Sequence, residues 1–188
     1  MKVLVVLMAL VVTPLARAGF LFHYGINYSS DSDSSEDGKF ENKKLFHKLY
    51  LGASVNQLRT LYFGWNINSW NSSTKKGDDP EDTYSILEMG PKMVWYLNEN
   101  YNWYFGVEWS PYARGDRKKS GTDREISGSS YGVGLGYRFK ISKAFGFGAS
   151  VNYHSFGISE EKIETNEEEI SEKVSQIMPM LELSIITR

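Results

Sequence analysis

The 188-residue chain has no cysteine, three histidines and five prolines. Without cysteine, no disulfide can staple the fold and no thiolate can bind a metal or act as a nucleophile. Formal net charge is −2, so there is no general electrostatic case for a nucleic-acid partner, and none is expected. Beyond the first dozen residues no apolar run approaches the roughly 18 residues of a transmembrane helix. The apolar run at the N-terminus, Val3 to Val12, follows Lys2 and precedes Ala16-Arg17-Ala18. A basic start, a short apolar stretch and an A-x-A site are the pattern of a cleaved signal peptide, expected over residues 1–18. Its removal takes Lys2 and Arg17 but no acid, leaving a mildly acidic mature chain, 19–188.

Aromatic side chains, in contrast, are plentiful. They make up 14% of the chain, beside 17 glycines, yet mean hydropathy is −0.40. The composition suits strands better than helices. Large apolar residues recur at every second position in eight segments. Phe20, Phe22, Tyr24, Ile26 and Tyr28 alternate with Leu21, His23, Gly25 and Asn27. Leu45 to Val55 alternates with Phe46, Lys48, Tyr50 and Gly52, and Leu61 to Ile67 with Tyr62, Gly64 and Asn66. The same period returns around Leu87 to Leu97, Trp103 to Trp109, Tyr131 to Ile141, Phe145 to Tyr153 and Ile177 to Ile185. Period two puts these residues on one face of a strand and Gly, Asn, Ser and the charges on the other.

Connections alternate in length. Those near Asn56-Gln57-Leu58, Asn98 to Asn102 and Ser142-Lys143-Ala144 are short. Those at Ser30–Lys44, Ser72–Thr83, Ala113–Ser127 and Ile158–Lys173 are long and charged. An up-and-down barrel puts alternate connections at opposite ends. The pattern therefore predicts an all-β, eight-stranded antiparallel transmembrane barrel with long surface loops and periplasmic termini. The apolar face carries no charge, as a lipid-facing surface requires. Turned inward, eight rows of Phe, Tyr, Trp, Leu and Met would overfill so small a barrel, which argues against a soluble barrel with a lipocalin-like core. Pro91 and Pro179 fall inside predicted strands, where each removes a ladder donor, so irregular pairing is expected there.

Carried by segments such as YGVGLGYRFKIS (131–142) and FGFGASVNY (145–153), the chain resembles the small bacterial outer-membrane barrels of the OmpA, OmpX and opacity-protein type. The resemblance implies a Gram-negative cell-envelope location and contact with lipid and lipopolysaccharide. Members of that group commonly end on an aromatic residue, whereas this chain ends Ser184-Ile185-Ile186-Thr187-Arg188.

Five sets of residues are candidates for function. Lys48, Lys92, Arg138 and Lys140 share the inward face with Glu88, Glu108 and Glu182, which predicts an interior charge network, either a structural plug or a narrow porin-like path. The inward glycines 132, 134, 136, 146 and 148 leave either a wet cavity or room for tyrosines from across the barrel. Tyr28, Tyr84 and Trp109 toward the long loops, with Trp95 and Trp103 toward the short turns, are expected to form interfacial girdles. The acidic run of Glu160, Glu161, Glu164, Glu167, Glu168, Glu169 and Glu172 could hold a divalent cation but lacks calcium-loop spacing, and reads as a solvated surface. Arg114, Arg117, Lys118, Lys119 and Arg124 could meet lipid phosphates or stay hydrated.

Catalysis is not expected. Lipid A deacylases of this architecture carry a His-x-Ser pair, but here Ser155 directly follows His154, so the two face opposite sides of the wall. No cofactor and no metal are expected. The reading is a monomeric, non-enzymatic barrel with a structural or adhesion-type role, its loops 30–44 and 158–173 open to a surface ligand. A narrow channel for small or apolar solutes is the alternative, and lipid A modification a more distant one.

Overall fold

The computed structural model describes residues 19–35, 38–77, 79–119, 121–163 and 166–187. Residues 1–18, where a signal peptide is expected, and Arg188 lie outside the described residues. The rest is one closed ring of eight antiparallel strands, each paired with its sequence neighbours. They are β1 (Phe20–Ser35), β2 (Gly38–Ser54), β3 (Leu61–Lys76), β4 (Asp82–Tyr96), β5 (Trp103–Lys119), β6 (Thr122–Lys140), β7 (Phe145–Ile163) and β8 (Asn166–Ile186).

Large apolar side chains face outward, as the alternation predicts. Leu87, Trp95, Phe105, Leu135, Val151 and Leu181 are exposed while their strand neighbours are buried, and Phe63 and Trp65 are exposed on either side of a half-buried Gly64. An uncharged, aromatic-rich outer belt on a closed barrel is a lipid-facing surface, since ladders on both sides of each strand pair nearly all the backbone that meets hydrocarbon. The barrel is therefore a transmembrane one.

The long connections are not loops. β1 and β2 stay in register to Ser35↔Gly38; β5 and β6 stay paired, past one register shift, to Lys119↔Thr122, and β7 and β8, past a shift between Ile158 and Glu160, to Ile163↔Asn166. The hairpins continue the wall well above the apolar belt. Their outward positions there are polar or charged, such as Arg114, Asp116, Glu125 and Glu160, so the apolar alternation is lost although the backbone ladder persists. The three short turns lie where predicted, at the opposite end, between Ser54 and Leu61, Tyr96 and Trp103, and Lys140 and Phe145.

The two prolines act differently. At Pro91 the β4–β5 pairing skips between Met89 and Lys92, yet inward facing stays on even numbers through Gly90, Lys92 and Val94. A second irregularity, beside Pro111, falls between Ser110 and Ala113 of β5. It switches the buried positions from Glu108 and Ser110 to Ala113 and Arg117. Pro179 stays in register with Val151 of β7. On its other side the β1–β8 ladder runs from Leu21↔Ile186 to Ile26↔Leu181 and goes no further.

Candidate functional site: the barrel interior and its outer mouth

The interior is stacked in layers. At the short-turn end Leu21, Tyr50, Tyr62, Val94, Tyr96, Tyr101, Tyr104 and Ile186 form an aromatic plug. Tyr101, in the left-handed region at φ 57°, swings beneath the barrel, and its hydroxyl donates to the Leu58 carbonyl at 3.0 Å. Tyr96 packs on both Tyr101 and Tyr104, with ring centres 5.2 and 5.7 Å apart.

Above the plug lies the charged layer. Glu108 of β5 accepts from Lys48 of β2 at 2.9 Å and Lys92 of β4 at 3.4 Å. Lys48 also donates to Asn152 Oδ1 of β7 at 3.2 Å, so one ammonium ties three strands across the lumen. Glu182 of β8 meets His23 Nε2 at 3.1 Å and accepts from Ser150 at 2.6 Å and from the Tyr104 hydroxyl. Arg138 Nε donates to Ser184 Oγ at 2.6 Å, and its guanidinium reaches the Ala144 carbonyl at 3.0 Å. Glu88, fully buried, holds four donors: Trp70 Nε1 at 3.1 Å, Ser130 Oγ at 2.9 Å, His154 Nε2 at 3.0 Å and Asn68 Nδ2 at 3.4 Å. His154 Nε2 is taken here as the protonated nitrogen.

Six of the seven residues predicted for the network are thus buried together. Lys140 is not. It ends β6, is exposed, and sits one residue from the turn where inward parity no longer means inside. His23, His154, Trp70, Asn68, Ser130 and Ser150 complete the network and were missed as partners. Parity marks the two histidines as inward. Their carboxylates lie on other strands, and pairing across a lumen needs the barrel's register, which one strand does not carry.

The inward glycines make room for polar side chains. A Cβ at Gly132 would run into Glu108, at Gly134 into Asn152, at Gly136 into Tyr104 and at Gly146 into Arg138. The gap among Lys92, Tyr104, Glu108, Gly132 and Asn152 is too small for a water molecule. A second apolar layer of Phe46, Trp70, Ile86, Ala113, Ile126, Phe156, Ile158, Met178 and Met180 closes the lumen above the charges.

The hairpin mouth is bridged from wall to wall. Arg117 of β5 donates to Glu172 of β8 at 2.7 Å and lies over the Tyr84 ring, 4.9 Å from its centre. Tyr84 stacks in turn on Trp70, 6.2 Å away. Burial raises the Tyr84 hydroxyl above its ordinary range despite the nearby guanidinium. Burial is the largest single influence on Arg117 and would lower it, but the hydrogen bond to Glu172 together with the charges of Tyr84, Glu172 and Glu161 outweighs that and holds it above its usual value. Tyr84 is therefore no girdle residue. It shares inward parity with Ile86 and Glu88. The other four predicted positions, Tyr28, Trp95, Trp103 and Trp109, are exposed on the outer face, joined by Tyr112 and Tyr131, with Tyr153 half-buried against Tyr131. Arg117→Ala should lower stability by about 1 kcal/mol, because Glu172 is half in water and screened. The shift of the urea midpoint in lipid vesicles measures it.

Among the described side chains, the acids of 160–172 do not gather. Glu160 accepts from Ser127 at 2.7 Å, Glu161 from Arg124 at 3.1 Å and Glu172 from Arg117. Glu164 lies outside the described residues. Among the described residues no three His, Asp or Glu side chains converge on a metal-sized site. Arg117 and Arg124 of the basic set serve these pairs, and Lys118 sits 3.8 Å from Asp123. His154 faces the lumen, while Ser155 meets Ser175 at 2.9 Å from the opposite side of the strand.

No family model and no curated protein matches the chain. Among solved structures, Neisserial surface protein A (NspA) superposes with a TM-score of 0.51 at 13% identity, over 90% of this chain and 96% of that one. The β domain of the Bordetella autotransporter BrkA superposes at 0.46 with 10% identity, over 91% and 99% of the two chains. With its eight-strand ring, apolar outer belt and filled interior, the chain has the fold of the small outer-membrane β-barrels.

Proposed function

We propose that the chain resides in the outer membrane of a Gram-negative bacterium, exported by a signal peptide over residues 1–18. Its short turns and termini face the periplasm and its four hairpins face outward. It acts there as a monomeric, non-enzymatic surface-contact protein embedded in lipid and lipopolysaccharide. One observation carries this reading. The hairpins are continuous strands up to pairs such as Ser35↔Gly38 and Ile163↔Asn166, so the barrel raises a rigid charged wall beyond the membrane while its lumen is closed twice. A surface partner can use such a wall without the entropy cost of ordering long loops.

Adhesion of intact cells to epithelial monolayers tests the role. Replacing 31–42 and 160–171 with two-residue turns should abolish the adhesion that the full barrel confers. Equal adhesion by the shortened barrel, present at equal surface level, would remove the hairpins from the role.

The channel alternative faces the aromatic plug. Purified protein in planar bilayers should give no stable single-channel openings. Regular openings that vanish on Glu108→Gln would instead favour conduction through the charged layer.

A further inference from the structure

The β1–β8 seam is closed by six rungs, although both strands run far beyond them. Pro179 explains the stop. Its carbonyl accepts from the Asn27 side chain at 2.6 Å, so it faces β1. In an extended strand the nitrogen and carbonyl of one residue point to the same neighbour. The Pro179 nitrogen therefore faces β1 as well and has no hydrogen to give. Above this point the seam's backbone groups have no ladder partner at the upper edge of the apolar belt, where hydrocarbon supplies none. Tyr28 and Ile177 flank the slit and are 65% and 72% exposed.

An apolar groove of about 690 Å³ lies on the lipid-facing side of this slit. Ile26, Trp103, Leu135, Val151 and Leu181 wall it, and Ala149, small among large neighbours, makes it hollow. Tyr28 lines its rim and also lines a second cleft of about 270 Å³ containing Lys43, Lys44, Ser73 and Thr83. The nearest carboxylate to Lys43 is Glu41 at 3.8 Å, a long and half-exposed pair that leaves the ammonium free for a second anion. Both free edges carry acid, Asp31 on β1 and Glu169 on β8, which disfavours edge-to-edge pairing with a second copy.

We propose that the slit and its groove form a binding site for one molecule of the phosphorylated, multiply acylated glycolipid of the outer leaflet. Acyl chains fill the groove beside Ala149, sugar hydroxyls meet the unpaired backbone of the seam, and a phosphate reaches Lys43. A broad, many-chained headgroup spans both sides of Tyr28, whereas a two-chain phospholipid fills the groove alone. The inference deepens the outer-membrane reading and rests on its outward placement of the hairpins.

Native mass spectrometry in a neutral detergent tests it, with lipid A, dephosphorylated lipid A and phosphatidylglycerol as probes. One lipid A should stay on each barrel, held about tenfold more tightly than either other probe. Ala149→Trp, which fills the groove from the outer face, and Lys43→Glu should each weaken retention by about tenfold. Both variants are first checked for a heat-shifted band, so lost binding is not lost folding. Equal retention by Ala149→Trp overturns the groove. Equal retention of the dephosphorylated probe, or of phosphatidylglycerol, overturns the glycolipid assignment. Failure of the outer-membrane reading shows separately, as loss of outer-membrane recovery on fractionation.

Discussion

Glu108→Gln should lower the stability of the folded barrel by about 3–5 kcal/mol, the usual cost of breaking a buried ion pair from one side. Glu108 is the shared carboxylate of Lys48 and Lys92 and lies within 3.9 Å of His154 Nδ1. Without its charge, two buried ammoniums keep Asn152 Oδ1 and the Tyr50 ring, 5.5 Å from Lys92 Nζ, as their neighbours. Neither replaces a carboxylate. The folded band on unheated SDS gels should convert to the unfolded position at a much lower temperature, and the urea midpoint in vesicles should fall with it. An unchanged midpoint would mean that the pairs are not made. The triple variant Lys48→Met, Lys92→Met, Glu108→Leu removes the charges together and should be close to neutral, since apolar replacement of a whole buried network often is. The contrast separates the cost of an orphaned charge from the worth of the network.

Gly90→Ala should cost about 3 kcal/mol, the upper end of overpacking. A Cβ at Gly90 would meet the Trp109 carbonyl and the Ser110 Cα, both backbone, at the point where β4 and β5 skip register. Backbone in a closed barrel cannot step aside as a side chain can, so the strands must part. Gly106→Ala supplies the control. It also faces inward on β5, but its Cβ would meet nothing nearer than Lys92 Cε at 3.7 Å, ordinary contact. It should stay within about 0.5 kcal/mol of the parent. Strand propensity favours alanine over glycine at both sites, so equal destabilisation of the two would point to crowding shared by the whole lumen, and equal tolerance would deny the close approach at Gly90. Urea titration of both variants in the same vesicles decides between these outcomes.

Much of the barrel is legible along the chain because lipid imposes a local rule. Every second residue must be apolar and uncharged wherever a strand crosses hydrocarbon, and Phe63, Trp95, Leu135 and Leu181 obey it. The hairpins escape that rule. Ser29 to Ser35 is polar throughout and Asn166 to Lys173 carries one apolar residue, Ile170, so little in their composition separates strand from loop. Tyr84 carries the inward parity of Ile86 and Glu88, so only its aromatic character suggests a girdle, whereas Lys140 has inward parity but lies at the end of β6. Parity predicts a face while a residue is inside the membrane-spanning wall, but not depth along the wall.

The sequence by itself determined the number of strands, which face meets lipid, and which end carries the short turns, because each follows from a period-two contrast or a turn length. The tertiary structure alone decided which charge meets which. Glu88 finds His154 and Lys48 finds Glu108 across a lumen, from strands far apart in the chain, at heights set by the stagger of the closed ring. It alone decided that the interior is layered and shut, and that the ring's seam stops at Pro179. A missing hydrogen matters there because of the neighbour it faces, and only the closed ring says that the neighbour is β1.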